Sequence, residues 1–135
     1  MAARSPLPTH LWVLAVLYFA ASLAHFTHNA EFIAFYPNLP KGLTREHVYL
    51  VWLAITSLGA GGLLLARRGV RGLGLLLIAA YGALGLDGLA HYTLALCSEH
   101  SVAANLTIGA EAASGVALML AALLQTRKDR DAVDR

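Results

Sequence analysis

Residues 11–35, LWVLAVLYFAASLAHFTHNAEFIAF, decide the fold, because this stretch exceeds the roughly 20 apolar residues that a helix needs to cross about 30 Å of hydrocarbon. It contains no Asp, Glu, Lys or Arg before Glu31. Residues 48–66, 72–97 and 101–124 have the same character, with Asp87 and Glu111 as the only such charges inside them. Continuous runs rich in Leu and Ala, without an alternation of period two, indicate helices. The sequence therefore predicts an all-α fold, an integral membrane four-helix bundle.

The composition agrees with a membrane protein. Of the 135 residues, 58% are hydrophobic and 13% are charged, against about 25% charged residues in an ordinary soluble domain. A chain of this length is expected to form one domain, residues 1–135. The only cysteine, Cys97, excludes an internal disulfide and any cysteine pair. Because the basic residues lie at the ends of the apolar stretches, we expect the lipid bilayer as a partner and no nucleic acid.

The Lys and Arg residues divide unevenly between the two ends of the predicted bundle. With four spans, the N-terminus, the 67–71 connection and the C-terminus share one end, which carries Arg4, Arg67, Arg68, Arg71, Arg127, Lys128, Arg130 and Arg135. Only Lys41 and Arg45 lie at the other end. The positive-inside rule places the more basic end in the cytoplasm. We therefore expect both termini in the cytoplasm, the connections 36–47 and 97–100 outside, and the protein in the cell (inner) membrane.

Capping residues and breakers predict where the helices begin and end. Thr44 and Ser98 are candidate N-caps of the second and fourth helices. Residues 127–135 alternate in charge, so we expect them to form a frayed, solvated end. The side chains expected in an outer aromatic belt are Tyr36, Tyr49, Trp52 and Tyr92, and those expected in water are His47 and His100.

Ionisable side chains in three of the predicted spans lie at a common depth. At 1.5 Å per residue, His25, Asp87 and Glu111 lie about 14–15 Å from the outward ends of their spans. Each needs an explanation, because a charge at the centre of a span costs about 2.5–3.5 kcal/mol. His28 follows His25 by one helical turn, and His91 follows Asp87 in the same way. We therefore expect one polar site inside the bundle that opens outward.

Three interpretations of this site remain open. Imidazole and carboxylate groups suit a Zn, Cu or Fe ion, and the candidate metal ligands are His25, His28, Asp87, His91 and Glu111. In the second interpretation, the group performs acid/base chemistry, and the candidate catalytic residues are Glu111, Asp87 and His25. In the third, it is a buried hydrogen-bond network that fixes helix register. Candidate ligand-binding residues on the same faces are Asn29, Trp52, Thr56 and Thr107.

Glycines in the second and third spans indicate close helix packing. Gly82, Gly85 and Gly88 recur every third residue, and Gly59 and Gly62 lie one turn apart. Small residues let the backbones of neighbouring helices approach each other in lipid. We therefore expect these glycines to lie at helix interfaces.

Two segments resemble a known family. Residues 25–36, HFTHNAEFIAFY, resemble the His-x3-Glu stretch, followed by apolar and aromatic residues, of the EXPERA membrane proteins, which include sterol isomerases and the sigma-2 receptor. Residues 85–92, GLDGLAHY, resemble their Gly-Asp followed by apolar and aromatic residues on a later helix. Asn29 stands where the family has Glu, and the predicted second span lacks the acid of the isomerase pocket. The resemblance implies a shared architecture with an apolar-ligand cavity closed by polar groups.

These features predict a membrane protein that binds a small apolar or lipid-like molecule in an outward-opening His/Asp/Glu site. Acid/base conversion of that molecule, with or without a bound metal, is one outcome, so the sequence does not decide whether the protein is an enzyme. The alternative is a non-enzymatic membrane subunit or a proton- or ion-coupled transporter that uses the same polar residues. Both the ligand-binding function and this alternative are compatible with a homo-oligomer or a larger membrane complex.

The distribution of basic residues yields a test of topology. Reporter fusions after Lys41 and after Arg127 should localise on opposite sides of the membrane, with the second in the cytoplasm, because the C-terminal end carries more Lys and Arg. The activity of a reporter that works only in the cytoplasm measures this. Finding both fusions on one side would remove a span and contradict the predicted shared depth of the polar residues.

Overall fold

The computed structural model of the chain describes residues 6–134, in which it contains α-helices and 3₁₀-helices and no β-strand. The α-helices of this range are α1 (Thr9–Glu31), α2 (Arg45–Arg67), α3 (Arg71–Ala83), α4 (His91–Leu94) and α5 (Val102–Val133). The 3₁₀-helices of the same range are Ile33–Phe35, Leu84–Ala90 and Cys97–Glu99.

The predicted all-helical architecture is confirmed. Among the described residues, four helical segments are long and apolar enough to cross a membrane, namely Thr9–Glu31, Arg45–Arg67, Arg71–Leu94 and Val102–Ala132. The third of these, called the third span below, combines α3, the 3₁₀-helix Leu84–Ala90 and α4. The first helix ends at Glu31 rather than at the expected Phe35, because the chain tightens there into a 3₁₀ turn.

The spans form an antiparallel ring. α2 packs against α1 and α3, and α5 packs against α3 and α1. At one end, the Arg71 guanidinium binds the Asp129 carboxylate (Nε to Oδ2, 2.5 Å) and donates to the Pro6 carbonyl oxygen (3.4 Å). We call this the inner end, and we call the end formed by residues 32–44 and 95–101 the outer end. Which end faces the cytoplasm stays a prediction.

The N-cap residue of α2 is the one that the sequence predicts, whereas the N-cap residue of α5 is a different one. Thr44 Oγ1 accepts a hydrogen bond from the His47 N–H (3.3 Å), and His47 Nδ1 accepts one from the Thr44 N–H (3.3 Å). This confirms the predicted N-cap as part of a capping box. Ser98 does not cap the last helix, because it lies in a 3₁₀ turn. Ser101 caps α5 instead, where its Oγ accepts from the Ala104 N–H (3.1 Å).

The C-terminal part of α5 corrects the expectation of a frayed end. The helix continues to Val133. Asp129 accepts a hydrogen bond from Gln125 Nε2 (2.8 Å) and pairs with Arg71 of α3. These contacts hold the end of α5 against α3, and an alternating charge pattern alone does not reveal them.

A run of glycines sets the path of the third span. Gly82, Gly85 and Gly88 are three residues apart, and the 3₁₀-helix after α3 has three residues per turn, so its glycines stack on one face. A Cβ atom on Gly85 would lie 2.9 Å from the Glu111 carbonyl oxygen. A Cβ atom on Gly82 would lie 2.5 Å from the Gly115 carbonyl oxygen. Glycine is therefore required for this backbone approach to α5.

This approach leaves a gap between α2 and the third span at the outer end, whereas buried apolar side chains fill the centre of the inner half. α3 packs along both α2 and α5, whereas Leu84–Ala90 packs mainly against α5. The gap between α2 and the outer part of the third span becomes a cavity. In the inner half, buried apolar side chains fill the bundle, and we call them the inner core: Leu11, Ala15, Leu75, Ile78, Leu118 and Ala122.

The glycine contacts can be tested with a matched pair of substitutions on α5. Gly115→Ala should destabilise the protein by about 1–3 kcal/mol, because its Cβ would lie 2.5 Å from the Gly82 carbonyl oxygen. Gly109→Ala is the control, because no atom lies within 4 Å of its Cβ position and Ala favours a helix by about 1 kcal/mol. Unfolding by SDS in mixed detergent micelles, followed by circular dichroism, measures both. Equal stability of the two variants would contradict the packing.

Candidate functional site

A cavity of about 210 Å³ lies at the outer end between α1, α2 and the third span. We call it the outer cavity, and its lining residues are His25, Phe26, Asn29, Leu39, Leu43, Val48, Val51, Asp87, Gly88, Ala90, His91 and Leu94. The 32–44 connection supplies part of its wall through Leu39 and Leu43. The outer cavity therefore combines three titratable side chains and one amide with walls that are otherwise apolar.

His25 and Glu111 form a buried pair beside the outer cavity. The residues are 2% and 1% exposed, and His25 Nε2 lies 3.6 Å from Glu111 Oε2. This distance is a charge contact rather than a hydrogen bond. Neither Glu111 carboxylate oxygen has a hydrogen-bond partner among the described residues. Helices α1 and α5 thus bring these two predicted residues into contact.

Thr107 fixes which nitrogen of His25 faces Glu111. The Thr107 hydroxyl donates its proton to the Ala104 carbonyl oxygen (3.0 Å), so it can only accept from His25 Nδ1 (3.4 Å). His25 Nδ1 therefore carries a proton, and Nε2 is directed toward the carboxylate. One further proton can lie on either His25 Nε2 or Glu111, which is the arrangement that acid/base chemistry needs.

Asn29 and His91 form a second polar pair in the wall of the outer cavity. Asn29 Nδ2 donates to His91 Nε2 (3.1 Å), and the His91 ring lies edge-on to the His25 ring with centroids 5.5 Å apart. The Asn29 side-chain oxygen is buried without a partner among the described residues. It is consequently available to accept a hydrogen bond from a bound molecule.

Sequence reasoning missed an aromatic and imidazole layer above this site. Tyr36 is buried, its hydroxyl hydrogen bonds His28 Nδ1 (2.8 Å), and its ring lies 4.9 Å from the His91 ring. His100 is also buried, between the rings of His91 and Tyr92. Burial raises the pKa of Tyr36 to about 12, so its hydroxyl stays protonated at ordinary pH. No local signal predicts this layer, because it forms only when two connections fold back over the spans.

The five candidate metal ligands do not form one ligand cluster. Among residues 6–134, no group of three or more His, Cys, Asp or Glu side chains is arranged to hold a metal ion. His28 turns to Tyr36, and His91 turns to Asn29. Asp87 is exposed at the rim of the outer cavity and has no hydrogen bond or ion pair with the described residues. The interpretation as a metal site therefore has no support in the side-chain arrangement.

The four candidate ligand-binding residues separate into two places. Asn29 lines the outer cavity, and Thr107 contacts His25. Thr56 lines a different, apolar cavity of about 220 Å³ between α1, α2 and α3, and the Trp52 ring packs on the Phe19 ring (centroids 5.5 Å apart). Trp52 and Thr56 are therefore not part of the outer cavity, because α2 turns this face toward α1.

A series of buried hydroxyl groups extends from Glu111 toward the inner end of the bundle. Ser22 lies beside Glu111, and Tyr18 and Tyr81 lie further toward the inner end, with ring centroids 4.5 Å apart. The hydroxyl oxygens of all three are buried without a hydrogen-bond partner among the described residues. Buried polar atoms of this kind ordinarily bind ordered water.

Comparisons with known proteins leave the site to be interpreted from its own chemistry. No protein-family model, no curated protein and no solved structure matches the chain. The likeness of residues 25–36 and 85–92 to the EXPERA proteins stays a hypothesis from the sequence.

Proposed function

We propose that this protein is an integral membrane protein that binds a small apolar or lipid-like molecule in the outer cavity and acts on it by proton transfer. The observation that carries the proposal is the buried Glu111 carboxylate, which has no hydrogen-bond partner among the described residues and lies 3.6 Å from His25 Nε2. A buried carboxyl group without hydrogen bonds is unfavourable for folding. Perturbed groups of this kind are typical of functional sites.

The lining of the outer cavity supports an uncharged, mainly apolar ligand. No Lys or Arg is among the described lining residues, so an anionic head group would lack a counter-charge. The volume of about 210 Å³ is below the roughly 300–1,000 Å³ of pockets for drug-sized ligands. It suits a small molecule or one end of a longer lipid. The exposed apolar rim, at Val51 and Leu94, lets an apolar chain extend into the bilayer.

His25 is the acid/base residue that would touch the ligand. It lines the outer cavity, whereas Glu111 lies behind it, 3.1 Å from the position that a Cβ atom on Gly88 would take. His25 Nε2 and Glu111 share one proton, so the pair can accept a proton from a ligand or return one. Asn29 and His91 would orient the polar end of the ligand. Asp87, at the rim, is assigned no step in this scheme.

A proton-coupled transporter is the second candidate. The unpartnered hydroxyls of Ser22, Tyr18 and Tyr81 favour it, because they extend the polar side chains inward from Glu111. A transported solute would then have to cross the inner core, whose side chains are apolar and buried. The structure offers no polar path through that layer in the described residues, so we rank binding with acid/base chemistry first.

Solvent deuterium provides the test of the proposed reaction. The purified protein in nanodiscs is incubated in D₂O with a lipid extract of the cells that produce it, and the extract is analysed by mass spectrometry. One component should gain deuterium at carbon with the wild-type protein, because the His25–Glu111 pair removes and returns a proton. Glu111→Gln should abolish the exchange. Glu31→Gln, the same change at an exposed outer residue, should leave it intact.

The outcomes separate binding from catalysis. A component that co-purifies with the folded protein without exchanging deuterium would contradict the acid/base step and leave a binding protein. Absence of both retention and exchange, with the protein folded, would contradict the proposal as a whole.

Stability measurements distinguish a functional Glu111 from a structural one. Glu111→Leu should leave the free energy of unfolding unchanged or raise it by about 1–4 kcal/mol, because the substitution removes a buried ionisable group that makes no hydrogen bond. Asn105→Leu on the same helix is the contrast. Asn105 accepts from the Tyr92 hydroxyl (2.8 Å) and donates to the Cys97 carbonyl oxygen (3.0 Å), so its loss should cost about 1–3 kcal/mol. A loss of that size for Glu111→Leu would instead make Glu111 structural.

A further inference from the structure

The buried polar side chains are confined to one half of the bundle. Ser22, His25, Asn29, His100 and Glu111 are the buried polar or charged residues in the described part of the chain. All of them lie at the middle of the bundle or nearer the outer end. The outer cavity also reaches exposed positions, since Asp87 and Leu94 of its lining are exposed. Water at the outer end therefore has a route to His25.

Among the described residues, no buried polar side chain continues this series through the inner core. Tyr18 and Tyr81 are the innermost members of the polar series, and their Cα atoms lie about 14–15 Å from the inner ends of their helices at 1.5 Å per residue. Beyond them, Leu11, Leu75 and Leu118 are fully buried. Protons and water cross a packed apolar layer poorly, because it offers them no hydrogen-bond partners.

We propose that Glu111 exchanges its proton with the outer side of the membrane only. The proton passes between Glu111 Oε2 and His25 Nε2, and the same nitrogen, which lies beside Gly88 of the cavity lining, exchanges it with water in the outer cavity. This inference rests on the proposed function and adds a direction to it, because the acidity of the outer compartment alone would supply or remove the proton that the reaction uses.

The surroundings of Glu111 are consistent with a single exchange partner. The ionisable groups that face it from the elements around it are Tyr18 and His25 on α1, Asp87 and Tyr81 on the third span, and Tyr36 from the 32–44 connection. α2 contributes none among the described residues. Of these groups, only His25 both contacts the Glu111 carboxylate and lines the outer cavity.

Covalent labelling in sealed vesicles tests the direction of exchange. An apolar carbodiimide enters the bilayer and adds to a protonated carboxyl group, whose proton moves to the carbodiimide nitrogen as the carboxyl oxygen bonds to the central carbon. The labelling rate at Glu111, measured by peptide mass spectrometry, therefore follows its protonated fraction. The protein is reconstituted at no more than one molecule per vesicle, with the inner and outer buffers set independently. Glu111→Gln supplies the background.

Cys97 identifies the orientation of each molecule. This thiol is exposed at the outer end and is the only cysteine in the sequence, so a membrane-impermeant biotin maleimide captures the vesicles in which the outer end faces the external buffer. In captured vesicles, raising the external pH should lower the labelling rate by about tenfold per pH unit above the midpoint. Changing the internal pH should have no effect. Vesicles that are not captured should show the reverse.

Each outcome decides a separate point. A labelling rate in captured vesicles that follows the internal buffer, or that ignores the external one, would overturn the one-sided exchange and leave the proposed reaction standing. Absence of labelling at any pH in the folded protein would show that Glu111 carries no exchangeable proton. That result would contradict the proposed function and this inference together.

Discussion

The contact between the glycine backbones of the third span and α5 is the constraint on which the rest of the structure depends. In a bilayer, helices gain little from hiding apolar side chains from lipid, so close packing has to hold them together. The backbones of Gly82 and Gly85 meet α5 at Gly115 and Glu111 without intervening side chains. This contact draws the third span away from α2 at the outer end, and the outer cavity is the resulting gap.

The division of the bundle into an apolar inner half and a polar outer half explains how the fold tolerates the buried Glu111 carboxyl group. The inner core consists of buried apolar side chains, so its packing stabilises the fold independently of Glu111. The outer half can then hold a carboxyl group whose oxygens have no hydrogen-bond partner among the described residues, at a cost of about 1–3 kcal/mol. Proteins commonly sacrifice stability in this way where a reactive group has to be kept out of water. Packing and chemistry are therefore divided between the two ends of the molecule.

Sequence reasoning succeeded where the governing physics is local along a helix. Hydrophobic length located the spans, and counting residues along straight helices placed His25 and Glu111 at one depth, where the structure joins them. Asp87 lines the outer cavity but lies exposed at its rim, and the 3₁₀-helix that carries it turns by about 120° per residue instead of the about 100° assumed for an α-helix. Contacts made by the connections, such as those of Tyr36 and His100, depend on how distant segments fold back. The periodicity of apolar residues along a helix carries no information about such long-range contacts.

The 3₁₀-helix Leu84–Ala90 also makes the third span unusually sensitive to its own length. Seven residues rise about 14 Å in a 3₁₀-helix and about 10.5 Å in an α-helix, so this segment lifts His91 about 3.5 Å further toward the outer end. Adding or deleting one residue here would rotate everything beyond it by about a third of a turn and would shift the glycines off α5. During evolution, substitutions at the lipid-facing positions of this span are tolerable, whereas insertions and deletions within it would separate His91 from the remainder of the site.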